Sequence, residues 1–108
     1  MLMNSIARSR GFRRALEECA VACERALAHY PGPGADAVRF RETLTEAIFA
    51  IRAATTVEPL DDQGLRLASY ACRQAANLCR HHGLDRQLLD CAATCDRAAE
   101  MCEHALAA

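Results

Sequence analysis

Apolar residues recur along this chain at intervals of three and four, the spacing that gathers them on one face of a helix, in four stretches separated by helix-breaking residues. The first runs from about Ser5 to His29, carries Glu17, Glu18, Glu24 and Arg25 among its polar positions, and stops at Tyr30-Pro31-Gly32-Pro33-Gly34, which no helix crosses. Gly11 costs helix propensity, so the ordered part of this helix is expected to begin nearer Phe12. Asp36 is placed to cap a second helix over residues 36–56, in which Val38, Leu44, Ile48 and Ile51 keep the period until Glu58-Pro59 closes it. Asp61 or Asp62 caps a third over 61–82, with Leu65, Ser69, Cys72, Ala76 and Cys79 on one face and Gly83 as its stop. Asp85 caps a fourth over 85–106, with Leu84 and Leu89 spaced as a hydrophobic staple across that cap. Three short connections between four helices of similar length predict an all-α, antiparallel up-down-up-down four-helix bundle, a single domain over residues 1–108.

Composition agrees with this. Of 108 residues 23 are Ala, Trp is absent, and strand-favouring residues are scarce, as a helical protein requires. All 13 basic residues are Arg, yet the net charge is only -1, which argues against nucleic-acid binding as the main function. The segment from Met1 to Arg14 is basic but is not followed by the apolar run of a secretory signal. No stretch approaches the ~18 uncharged residues of a membrane span, so no membrane partner is expected and the expected location is the cytoplasm, where thiols stay reduced.

The 7 cysteines change the picture, because a chain this long builds a core without covalent staples. They occur as Cys19/Cys23, Cys72/Cys79 and Cys91/Cys95/Cys102, at spacings of four and seven that place the sulfurs of each helix on one face. An odd number at helical spacing suits reduced thiols in a core better than a disulfide framework. In an up-down bundle, measured from the end where the first and third helices finish, Cys23, Cys79 and Cys91 fall at roughly 5 to 10 Å and Cys19, Cys72 and Cys95 at roughly 15 Å. Cys102 stands apart at roughly 26 Å, and the second helix brings Thr43, Leu44, Ala47 and Ile48 instead of sulfur. Two tiers of three thiols suit a soft ion. Cu(I) accepts two or three thiolates, whereas Zn(II) would need a histidine or water as a fourth ligand and fits less readily. The plainer account is that cysteines fill an Ala-rich core as small hydrophobes.

Cys19-Ala20-Val21-Ala22-Cys23-Glu24, the segment from Ala71 to His82, and Asp90-Cys91-Ala92-Ala93-Thr94-Cys95-Asp96-Arg97-Ala98-Ala99-Glu100-Met101-Cys102 carry a resemblance to a known family. Together with the loop placement they resemble the cysteine-rich four-helix-bundle copper-binding proteins, also called copper storage proteins. The resemblance implies a bundle whose interior thiolates, in pairs, hold Cu(I). This chain departs from the family's repeat at Ala26, Ala75 and Ala98, where a further cysteine is often found, and has none from Ala35 to Thr56. It resembles a cysteine-depleted member, able to hold a few ions rather than a long column.

Other constellations are weaker. His29, His81, His82 and His104 lie towards helix ends, where each satisfies terminal carbonyls or the dipole, or where they form a relay passing a cation to the first tier. Met101 beside Cys102, with His104 near, is a candidate minor soft site or simply a gap-filler. Di-iron Glu-x-x-His pairs, a haem-attaching Cys-x-x-Cys-His and a thioredoxin-like Cys-x-x-Cys are all absent, and no triad pattern surrounds the serines. Arg8, Arg10, Arg13 and Arg14 read as a solvated helix face. The expected function is therefore not enzymatic: binding of Cu(I) by Cys19, Cys23, Cys72, Cys79, Cys91, Cys95 and Cys102 for buffering, sequestration or storage. The alternatives are a non-metal helical scaffold or interaction protein with cysteines as filler, and a thiol redox sensor; the Ala-rich faces are compatible with a homo-oligomer.

Overall fold

The computed structural model describes residues 2–30, 34–56, 61–81 and 85–107, so the expected stop at Gly83, the staple residue Leu84, the break at Glu58-Pro59 and His82 lie outside it. Among the described residues there are four helices and no strand: α1 (Leu2–His29), α2 (Ala35–Thr56), α3 (Asp62–His81) and α4 (Arg86–Ala107). They pack as an elongated bundle of 50 × 21 × 20 Å. None is long and apolar enough to cross a membrane.

Local chemistry sets most of the helix ends. The Asp61 carboxylate accepts the Gly64 N–H at 2.8 Å and so caps α3. Asp85 does the same for α4, accepting Gln87 N–H at 2.8 Å and Leu88 N–H at 3.4 Å. At the start of α2, Gly34 takes the role expected of Asp36: its φ of 110° turns the chain and its carbonyl accepts Val38 N–H at 3.1 Å. Asp36 lies within the first turn, where a negative charge meets the positive end of the dipole. Helix α1 does not begin at Phe12 but runs through Gly11, because one interior glycine costs only about 1 kcal/mol. A Cβ built on Gly11 would lie 3.5 Å from Met101 Cε, so α4 passes close to the helix there.

The core face of α2 is Ala37, Phe40, Leu44, Ala47, Ile51 and Ala54, with Ile48 at its edge, while Val38 is 51% exposed. Val38 precedes Leu44 by six residues, about 240° around the helix, so the two never shared a face. In the first turn of α4 it is Leu88 that is buried, and Leu89 points outward.

Contacts along α1 run in the opposite chain sense on α4 and on α2. Along α1 and α4, Cys19 meets Cys95, Cys23 meets Cys91, and His29 meets Asp85. On α1 and α2, the Arg13 guanidinium donates to the Thr55 carbonyl at 2.7 Å at one end, and the Tyr30 ring stacks on Phe40 at 4.4 Å near the other. The backbones of α1 and α3 also approach across one diagonal, whereas those of α2 and α4 stay apart across the other among the described residues. Small side chains permit that approach: Cys19, Ala20 and Cys23 from α1 and Ala68, Cys72, Ala75 and Ala76 from α3 are all buried.

Outside, α3 and α4 are clamped by charge. Arg73 donates to Asp96 at 2.9 Å and to Glu103 at 2.7 Å, Arg80 joins it on Asp96, and the Ser69 hydroxyl donates to Glu103 at 3.2 Å. The Arg73 guanidinium holds the Glu103 carboxyl below the usual glutamate range. On the opposite flank, Leu67 and Tyr70 lie exposed along an apolar groove of about 380 Å³ between α2 and α3, and Phe49 projects from α2 with 78% of its surface exposed.

Two outcomes follow for urea unfolding. Phe40→Ala removes a fully buried ring and costs about 3 to 5 kcal/mol, whereas Arg73→Ala opens a half-exposed network and costs at most about 1 kcal/mol. Because the Glu103 value is depressed, the contribution of the clamp is whole above the ordinary glutamate pKa of 4.5 and disappears as pH falls through the depressed value. The wild-type advantage over Arg73→Ala should therefore shrink in acid.

Candidate metal centre

All seven cysteines are free thiols and buried, none exposing more than 2% of its surface. The helical spacing accounts for this. Four and seven residues return to nearly the same angle on a helix, so each of α1, α3 and α4 presents its sulfurs to the axis the three share. Helix α2 closes the fourth side with Phe40, Leu44 and Ile51.

The sulfurs form one connected column rather than two separate tiers. Within the expected tiers, Cys19 lies 3.7 Å from Cys72 and 2.8 Å from Cys95, and Cys23 lies 3.8 Å from Cys91. Two further contacts join the tiers: Cys23 to Cys95 at 3.4 Å and Cys91 to Cys95 at 4.0 Å. Successive turns are about 5.4 Å apart along the axis, a gap that two Sγ atoms leaning towards each other close. Cys79 is fully buried on α3 and outside these sulfur contacts. Cys102, fully buried seven residues beyond Cys95, takes part in none of these contacts.

Three of these thiols, Cys19, Cys23 and Cys95, have sulfurs all within 4.8 Å of one another and could hold a metal ion. Cys23, Cys91 and Cys95 form a second triangle, with sides of 3.8, 3.4 and 4.0 Å. The two triangles share the edge Cys23–Cys95. A metal–thiolate bond of about 2.3 Å puts the three sulfurs of a planar three-coordinate ion about 4 Å apart. The second triangle has that size, and in the first the Cys19–Cys95 pair would have to open.

Proton positions in the column are coupled. The Cys91 thiol is shifted below the ordinary range by its hydrogen-bonding neighbours, Cys23 first and then Cys79 and Cys95. The other members move the opposite way. Cys95 is raised by its hydrogen bond to Cys19 and then by those to Cys23 and Cys91. Cys19 is raised mainly through Cys23 and Cys72, and Cys79 mainly through Cys91. Burial pushes the Cys102 thiol up to about 12.

The histidines stay outside. His29 Nε2 is paired with Asp85 at 2.8 Å on the surface, where the hydrogen bond from His29 lowers the carboxyl. His81 and His104 are exposed. Met101 is partly exposed against Gly11 while Cys102 is fully buried, so the minor soft site expected from these two and His104 is not assembled. Of the arginines expected as a solvated face, Arg14 is exposed and pairs with Glu18 at 3.4 Å, whereas Arg13 caps the end of α2.

Sequence reasoning passed over the furrow between α1 and α4. One cavity of about 560 Å³ there has Arg14, Val21 and Arg97 in its walls, and a second of about 180 Å³ continues it down to Cys91. The signal was present in Ala22 and Ala26, two small residues one turn apart beside a cysteine-bearing helix.

The site thus defines a helical bundle with a buried, connected thiol column. A comparison of the chain with protein-family models, curated proteins and solved structures finds no match in any of the three.

Because Cys19, Cys79, Cys95 and Cys102 are all raised from 9.0, the stability they lend as neutral thiols is whole below pH about 9 and is lost as pH rises through their folded values. Cys91, depressed, contributes in the opposite sense, whole above pH about 9. Four against one, the reduced protein should lose stability in urea between pH 9 and 12, and Cys102→Ala should flatten part of that loss.

Proposed function

We propose that the thiol column binds Cu(I), as cargo to be buffered or sequestered and not as a catalytic centre. The observation that carries this reading is the pair of three-thiol triangles sharing Cys23 and Cys95, buried and without any nitrogen or oxygen ligand among them. An all-sulfur, three-coordinate environment favours a soft ion. Zinc would ask for a fourth ligand, and the described histidines that might supply one lie on the surface. The resemblance to copper storage proteins points the same way. Its thinned repeat, with alanine at positions 26, 75 and 98, supports a capacity of a few ions.

Binding would proceed by proton exchange. Each thiol that becomes a ligand releases its proton, so affinity falls with acidity. Cys91 is the thiol readiest to do so, and its neighbours follow as the positive ion offsets the repulsion between adjacent thiolates.

Titration of the reduced protein with Cu(I) against a competing chelator should find at least one tightly held ion per chain. Replacing both Cys23 and Cys95 by Ser, which breaks both triangles, should weaken the tightest site by tenfold or more, while Cys102→Ser leaves it in place. Loading should also raise the melting temperature, by a free energy of about 2.7 kcal/mol when the free ion stands at a hundred times its Kd. Uptake of less than one ion per chain would end the reading and leave the cysteines as core filler.

A further inference from the structure

The way in to a buried column is a separate question from what the column holds. The end of the bundle, where the histidines cluster in sequence, is latched between α1 and α4 by the His29–Asp85 pair. A cavity of about 180 Å³ lies between the same two helices, lined by Ala22, Arg25 and Ala26 of α1 and by Asp90, Cys91 and Thr94 of α4. That volume has room for several waters. It shares Ala22, Arg25 and Thr94 with the larger furrow alongside, which leads to open solvent. No cysteine lines that furrow or the apolar groove between α2 and α3.

Cys91 is also a junction inside. It touches Cys23 at 3.8 Å and Cys95 at 4.0 Å, the two sulfurs common to both triangles. One thiol therefore faces both the solvent-connected cavity and the heart of the column. Ala22 and Ala26 make this possible, because side chains beyond Cβ at those positions would fill the gap.

We propose that the α1/α4 furrow is a lateral port, with Cys91 as the first thiol met by a soft cation or its small thiol carrier and Ala22 and Thr94 as the residues that keep the passage open. The carrier would be a low-molecular-weight thiol that hands over its ion by exchange. The carrier's metal–sulfur bond breaks as the bond to Cys91 Sγ forms, the Cys91 proton leaves with the departing carrier thiolate, and no electrons change hands. The ion then moves one contact inward, to Cys23 and Cys95. This rests on the metal-binding reading for its cargo, but the port itself is a property of the thiols.

The test is therefore made in two arms. In the first, the reduced, metal-free protein is pulsed with N-ethylmaleimide under native conditions, denatured, labelled with the heavy reagent, and mapped by peptide mass spectrometry. Cys91 should be modified several-fold faster than any of the other six, and Ala22→Leu should slow it to half or less. In the second, Cu(I) uptake from a chelator is followed with time. Ala22→Leu should slow loading without lowering the final stoichiometry, and His29→Ala should not slow it. Thr94→Leu fills the same passage from α4 and serves as a second plug should Ala22→Leu fail to fold. Equal labelling of Cys91 and the other thiols would overturn the port, as would copper uptake slowed by His29→Ala and untouched by either plug. A protein that binds no Cu(I) yet shows Cys91 labelled first would overturn the metal reading and leave the port standing.

Discussion

Side-chain volume along the line where α1, α3 and α4 meet is the constraint on which the rest of this structure depends. Alanine and cysteine occupy nearly every position on that line, and helices bearing such short side chains approach closely enough for sulfurs on different helices to reach 2.8 to 3.8 Å. The diagonal approach of α1 to α3, absent between α2 and α4 among the described residues, is the same effect seen at the level of the backbone. One larger residue in this line would separate the thiols as well as the helices. The chemistry of the column and the packing of the bundle are thus a single property.

Close approach also brings the outer faces of α3 and α4 within reach of each other, and there the chain uses arginine. The fork of Arg73 spans Asp96 and Glu103, seven residues apart on α4, and Arg80 meets Asp96 from the next turns of α3. A guanidinium engages two carboxylates at once in a way an ammonium does not, which suits a chain whose cations are all arginine. Each such pair is half-exposed and individually weak. Together they tie the outer faces of α3 and α4 to each other.

The helices themselves were legible, because proline, glycine and capping aspartates punctuate this sequence and seven-residue cysteine spacing has one geometric reading. What escaped is what depends on neighbours. The phase of α2 was misjudged at Val38 because a lone β-branched residue near a helix start carries no information about which face is covered, whereas the Phe40–Tyr30 stack that sets the face is a tertiary event. Gly34 outranked Asp36 as the turn-former because backbone conformation, not side-chain capping, limits the chain there. The tiers merge because sulfurs a turn apart on α1 and α4 lean towards each other, which a count of residues along straight helices does not show. The furrow above Cys91 was invisible for a related reason. An alanine pair reads as helix propensity until the opposite wall is in place.

The bulky wall of α2 gives the column a direction of growth. Phe40, Leu44 and Ile51 are fully buried against it, so sulfur added on that side would replace the largest side chains in the core and leave voids. Lengthwise the situation differs: Ala26, Ala75 and Ala98 are already buried on the three cysteine-bearing helices, and each differs from cysteine by one atom. The number of buried thiols in this architecture is therefore tunable by single small substitutions in three helices and resisted in the fourth. Mechanically the bundle is three thiol-bearing helices and a buttress.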